Sequence, residues 1–330
     1  MVTARPPTIG RETFMPYLRP PYFRAEVLLA GLRDTLTTGR PDPDWVTTDP
    51  PVFLIGCGRS GTTILGQLLG RHPAIDHRHE PYAAWAAIDP RTDFLHAYTS
   101  TAGRALLDWG DATARERRRF ATILRPAPGR RLLEKTPINA LRVGYLQALA
   151  PGATFVHLVR DGVEVSRSIA AVAANTVRYA GRGTFNRWWG VEDAKWRCLT
   201  RDAAAAGHPV ADGLVDDLQR GAYEWLVSLG EVDRHRRELD GHLVEVRYDQ
   251  LTAEPERVLA DLGRHLGLDG PERWAAEAGP LLHRGPAARN DGPALALPAR
   301  LAARFNEANA SLGFAGRAAF AACDDGPFAS

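Results

Sequence analysis

Apolar residues along this chain fall into short solid runs, and the stretches between those runs carry helical spacing. Val52–Ile55 is a run of β-branched and apolar residues and predicts a buried strand. Thr62–Arg71 follows with leucines at helical spacing, and His72-Pro73 stops it. Ala74–His79, Leu132–Glu134, Ala153–Val159 and His242–Tyr248 read as further strands. Thr136-Pro137 has the form of an N-cap with proline at the first helical position, opening a helix over Ile138–Leu149. Gly162–Ala174, Pro255–Leu266 and Ala299–Leu312 complete the helices, the last one after a Gly/Pro loop at Arg284–Pro293. Strands alternating with helices imply a parallel sheet with right-handed crossovers, hence an α/β fold with helices flanking the sheet. Residues 1–50 are proline-rich at both ends, with one helical stretch near Phe23–Leu36, and read as an arm packed on the core. Residues 51–330 read as one domain with helical insertions at about 90–130 and 175–240.

The turn after the first strand reads Gly56-Cys57-Gly58-Arg59-Ser60-Gly61-Thr62-Thr63. Its glycines have the spacing of a phosphate-binding loop, but Thr62 stands in the lysine slot of the G-x-x-x-x-G-K-[ST] pattern. Backbone N–H groups at a helix start cradle an anion. Without that lysine the loop is poorly equipped to stabilise a transferring phosphoryl group, so the P-loop-like fold points to a phosphorylated nucleotide from which something else is moved. The other strands end at polar residues too: Glu80, Lys135, Arg160 and Tyr248. In parallel sheets ligands sit beyond the carboxyl ends of the strands, so these side chains converge on one site. Arg160 offers a fork for phosphate oxygens. Ser168, about 9 Å along the following helix at ~1.5 Å per residue, joins it only if Arg160 folds back over that helix. Lys135, one of two lysines in the chain, suits charge on a leaving oxygen. The alternative is a snorkelling surface lysine. Glu80 is the candidate general base for a hydroxyl acceptor, with His79 its local rival.

Several features speak for bland roles. His77-Arg78-His79-Glu80 has strand spacing and no distant Cys/His partner set, so no metal is expected. A nucleophilic Cys57 would need arginine where Thr63 stands, so Cys57 reads as a small buried residue. His157 reads as a satisfied core residue, and Arg115–Arg119, within a basic amphipathic helix over Ala114–Leu124, first as a solvated helix face and second as a contact for an acidic acceptor. Trp188, Trp189 and Trp196 read first as core and second as an acceptor clamp. A net charge of +2 gives no sign of a non-specific nucleic-acid or membrane binder, so any anion specificity must come from local sites. No apolar run is long enough to span a bilayer, and the N-terminus has no signal-peptide core, so a cytoplasmic protein is expected, its oligomeric state open.

Taken together, these segments resemble the sulfotransferases that use 3′-phosphoadenosine 5′-phosphosulfate (PAPS). Arg59-Ser60-Gly61-Thr62-Thr63 is similar to that family's 5′-phosphosulfate loop, in the form found in carbohydrate and tyrosylprotein sulfotransferases. Arg160 and Ser168, eight apart in an R-D-G context, resemble its 3′-phosphate motif. His72-Pro73 with Glu80 resembles the segment carrying the catalytic glutamate. Lys135 before Pro137, with Tyr145-Leu146, resembles its K-x-P segment. Tyr248-Asp249-Gln250-Leu251 with Pro255-Glu256 resembles the segment whose tyrosine touches the nucleotide. The resemblance covers residues 51–82 and 130–268. It implies transfer of a sulfuryl group from PAPS to a hydroxyl of a small-molecule, glycan or secondary-metabolite acceptor, leaving 3′,5′-ADP (PAP), without metal. Glu80 would act as base, and Lys135 and Arg59 would stabilise the breaking bond. Ser60, Gly61, Thr62, Thr63, Arg160, Ser168, Tyr248 and Arg289 would hold the nucleotide. The chain departs from the family where Arg59 replaces the commoner lysine, and where Glu80 sits in H-E-P instead of G-E-E. A nucleotide-dependent kinase with a degenerate loop and a non-catalytic nucleotide-binding protein are the rival readings.

Overall fold

Strand β1 (Val52–Ile55) has four fully buried residues and lies at the centre of a five-stranded parallel sheet. The computed structural model describes residues 45–99, 102–178, 184–282 and 294–320, together with Leu29 and Leu32. The sheet also contains β2 (Ile75–His79), β3 (Arg131–Lys135) and β4 (Thr154–Val159). Three short strands follow, β5 (Thr176–Arg178), β6 (Thr184–Asn186) and β7 (Gly190–Val191), and then β8 (Leu243–Arg247) returns to the main sheet. The order is β2-β3-β1-β4-β8, every neighbour parallel. A solid apolar run is what a strand buried on both faces requires.

Connectivity reverses beside β1. The chain first builds β2 and β3 on one side, then β4 and β8 on the other. Such a switch opens a crevice between the loops after β1 and β4, which is where α/β sheets bind ligands. Apolar clusters fill both faces. Leu54, Leu65, Leu69 and Leu133 lie with Val258 and Leu262 on one side; Phe53, Ile55, Phe120 and Phe155 lie with Tyr145 and Leu146 on the other. Helices Thr62–Leu69 and Gly162–Ala173 start directly above the sheet's carboxyl edge.

Some elements differ from the sequence reading. The helix expected over Ile138–Leu149 is a 3₁₀ turn, Pro137–Leu141, followed by an α-helix, Val143–Leu149. Thr136 does not cap it. Its hydroxyl donates instead to the buried Glu134 carboxylate, which also accepts from Asn139 Nδ2 at 3.0 Å. Helical spacing after β2 also went unread, and Tyr82–Ile88 is a helix. Among its described residues the stretch 90–130 holds one α-helix, Ala114–Ile123, two 3₁₀ turns, Pro90–Thr92 and Trp109–Asp111, and irregular chain held by buried carboxylates. Asp93 accepts from the backbone N–H groups of Ala97, Tyr98 and Thr99, and Asp202 from those of Ala105 and Leu106. The strands β5, β6 and β7 pair antiparallel where helix was expected; two helices, Ala194–Ala205 and Asp217–Arg234, follow. Arg289, the loop around it and most of the expected N-terminal arm lie outside the described residues. Among the described residues no helix is long and apolar enough to cross a membrane.

Candidate active site

All five strands of the main sheet deliver a candidate residue to its carboxyl edge. β1 runs into the Gly56–Gly61 turn, β2 into Glu80, β4 into Arg160 and β8 into Tyr248, while β3 ends in Lys135 itself. The glycine turn is pressed between two aromatic rings. A Cβ on Gly61 would lie 2.5 Å from the Tyr248 ring, and one on Gly58 2.4 Å from Trp188 Cη2. Gly61, at φ 104°, starts the helix Thr62–Leu69, so bare backbone faces the space above the helix N-terminus. Ser60 and Thr62 are buried beside it. Arg59 (φ 72°) and Glu80 (φ 45°) also sit in the left-handed region, which is uncommon for residues with a Cβ. Such strain gathers at functional sites.

Arg59, Arg160 and Ser168 meet at the mouth of this turn. Arg160 Nε pairs with Glu164 Oε2 at 2.8 Å, so its side chain does fold back over the following helix. Its Nη1 donates to the Arg59 carbonyl at 3.2 Å, and its guanidinium lies 4.4 Å from the Tyr248 ring centre. Arg59 Nε in turn donates to Ser168 Oγ at 3.0 Å. Ser168 is therefore joined to Arg160 through Arg59 and not directly. Burial and the neighbouring Arg160 charge lower the Arg59 pKa, as expected where two like charges share a cleft. Asp161, the residue after Arg160, does not pair with it. It caps the helix, accepting from Val163 N at 2.9 Å.

Lys135 is fully buried, which removes the snorkelling alternative. Its ammonium donates to Thr63 Oγ1 at 2.8 Å and forms an ion pair with Glu80. It stands one layer behind the cavity wall, and burial lowers its pKa. Next to it, burial pushes the Glu134 carboxyl up to about 7, although Trp85 Nε1 donates to it at 2.9 Å. Glu80 lines the cavity. His79 belongs to the same strand end, and burial followed by the Lys135 charge lowers its pKa. Among the described residues, no group of three His, Cys, Asp or Glu side chains could hold a metal.

One cavity of about 630 Å³ collects Arg59, Thr62, Thr63, Glu80, Arg160, Ser168 and Tyr248. That is within the range of about 300–1,000 Å³ of small-molecule sites. It also contains residues that the sequence reading missed: Tyr82, Phe94, Leu95, Ile138, Lys195 and Glu224. Lys195 was legible only as the second of two lysines, and Glu224 gave no local signal. Of the tryptophans, Trp189 and Trp225 are core, whereas Trp188 faces the cavity. Cys57 is a buried loop residue, and burial together with the Glu224 charge pushes its thiol well above the usual range. His157 is core but only partly satisfied. Its Nδ1 lies 3.4 Å from Glu245 Oε2, outside hydrogen-bond geometry, and Nε2 has no hydrogen-bond partner among the described residues.

Residues 50–213 match the model described as "Sulfotransferase family". Nodulation protein NoeE of Sinorhizobium fredii is 26% identical over 226 residues, covering 64% of this chain and 49% of NoeE. The chain thus spans about half the length of that relative. The omega-hydroxy-beta-dihydromenaquinone-9 sulfotransferase Stf3 of Mycobacterium tuberculosis is 24% identical over 294 residues, 72% of this chain and 68% of Stf3. Among solved structures, sulfotransferase STF9 of Mycobacterium avium superposes with a TM-score of 0.49 at 14% identity, over 90% of this chain and 88% of STF9.

Proposed function

We propose that this chain, which belongs to the sulfotransferase family, moves a sulfuryl group from PAPS to a hydroxyl-bearing acceptor. The supporting observation is that one cavity holds both a paired-guanidinium anion cradle and a carboxylate facing the loop. The turn before helix Thr62–Leu69 suits the 5′-phosphosulfate. Arg160 and Ser168, linked by Arg59, suit the 3′-phosphate, and the Tyr248 ring suits the nucleoside.

In this reading the acceptor hydroxyl loses its proton to Glu80 as its oxygen bonds to sulfur. The bond between sulfur and the bridging oxygen of the 5′-phosphate breaks, and PAP departs with that oxygen's charge. Glu80 and the leaving oxygen share Lys135. When Glu80 takes the proton, its hold on the ammonium weakens, and Lys135 becomes available through Thr63 to the oxygen gaining charge. The buried position of Lys135 couples the two events instead of leaving it exposed to water. Glu80→Gln tests this with radiolabelled PAPS. Turnover should fall by about 10²–10⁴-fold while PAP still binds. Near-normal rates would move the base elsewhere, with His79 the next to test. No label transfer by the wild-type protein to any hydroxyl acceptor would overturn the reaction class.

A further inference from the structure

The cavity has a second side whose chemistry differs from that of the anion cradle. Tyr82, Phe94, Leu95, Ile138 and Trp188 wall it with rings and aliphatic groups. Tyr82 and Phe94 meet edge to face, 5.8 Å between ring centres. Two charged groups stand in this wall, Lys195 and Glu224, which are only 5% and 3% exposed. They neutralise one another, with Lys195 Nζ 2.7 Å from Glu224 Oε1. The other carboxylate oxygen accepts from Trp188 Nε1 at 2.8 Å. The ammonium lies 3.9 Å from the Trp188 ring centre. Trp188 is thus held by its N–H and by one ring face, while its outer edge abuts Gly58 of the phosphate loop, where a Cβ would come within 2.4 Å.

An ion pair in such a place is costly to desolvate, and hydrophobic packing alone does not require it. What it does here is fix one indole beside the phosphate loop. We propose that this side of the cavity selects an uncharged, largely apolar alcohol or phenol, and that Lys195 and Glu224 are positioning residues that hold Trp188 as the acceptor's wall. A polyol would have to surrender hydration at several hydroxyls to rings and aliphatic groups, with the wall's two buried charges already committed to each other. A charged acceptor would meet a pair whose charges already cancel. The inference rests on the donor lying at the arginine side, as proposed above.

Isothermal titration of the full chain without any nucleotide tests it, because acceptor binding is then read separately from donor binding. The probes are 2-naphthol, its cationic analogue 6-(aminomethyl)-2-naphthol, and maltotetraose. The wild-type protein should bind 2-naphthol at least about tenfold more tightly than the cationic analogue, and maltotetraose not measurably. Trp188→Ala should weaken 2-naphthol by about tenfold. Lys195→Met, which leaves the Glu224 charge uncancelled, should narrow the ratio between the two naphthols by at least about threefold, a change that mere loosening of the wall would not produce. Tighter binding of maltotetraose or of the cation to the wild type overturns the inference, as does an unchanged 2-naphthol affinity in Trp188→Ala. Failure of PAP to bind would instead strike the donor assignment and leave these titrations to stand or fall by themselves.

Discussion

Lys135 shows how far a single side chain can be read from sequence. Its type and its place at a strand end were legible, because lysine is rare in this chain and the sheet edge is where ligands collect. Its burial and its partners, Thr63 and Glu80, were not, because they lie in the segments that follow β1 and β2, far away in sequence. Replacing it with methionine keeps the volume and removes the shared proton donor. Turnover should drop by about 10²–10³-fold, with PAP affinity within about threefold of wild type, as a rate assay and a titration would show. Gly61 makes the complementary case. Its spacing was visible, but the Tyr248 ring that excludes a Cβ was not. Gly61→Ala should cost about 1–3 kcal/mol of stability and weaken PAP binding, measured by urea unfolding and calorimetry. Stability and affinity both at wild-type values would mean that the loop has freedom that the close ring contact denies it.

Among the elements, the five parallel strands were legible because solid apolar runs have one cheap solution, burial on both faces. The basic amphipathic helix Ala114–Ile123 was legible too, but the chain before it and the strands β5, β6 and β7 were not, because buried acids and a short antiparallel sheet replace helical hydrogen bonds there, and neither leaves a periodic pattern. The pairing of β2 with β3 carries a pH signature of its own. Burial brings His77 down to about 4 from 6.5, and burial brings Glu134 up to about 7 from 4.5. His77 therefore contributes stability that is complete above its unfolded value and is lost as pH falls toward its folded one. Glu134 contributes stability that is complete below its unfolded value and is lost as pH rises through its folded one. Between about pH 4.5 and 6.5 the two slopes oppose. Melting temperatures taken across that window should climb with pH more steeply in Glu134→Gln than in the wild type, and less steeply in His77→Gln. Parallel curves for all three proteins would show that neither group titrates differently on folding.

At the scale of the whole molecule, the strand order does the assembling. Because connectivity reverses beside β1, the loop after β1 and the arginine after β4 flank one crevice, and Tyr248 after β8 closes it behind Arg160. Sequence order alone could place these residues at one edge; only the order of strands places the two anion-binding groups on either side of a gap. On the reading proposed above, this gap holds a nucleotide with phosphates at both the 5′ and 3′ positions. The most direct measurement is calorimetric titration of PAP and of ADP, without magnesium, into the wild-type chain and into Arg160→Ala. PAP should bind the wild type at least about tenfold more tightly than ADP, and Arg160→Ala should lose about 10- to 100-fold in PAP affinity while leaving ADP nearly unchanged. Equal affinities for the two nucleotides, or an Arg160→Ala protein that binds PAP as tightly as the wild type does, would contradict it.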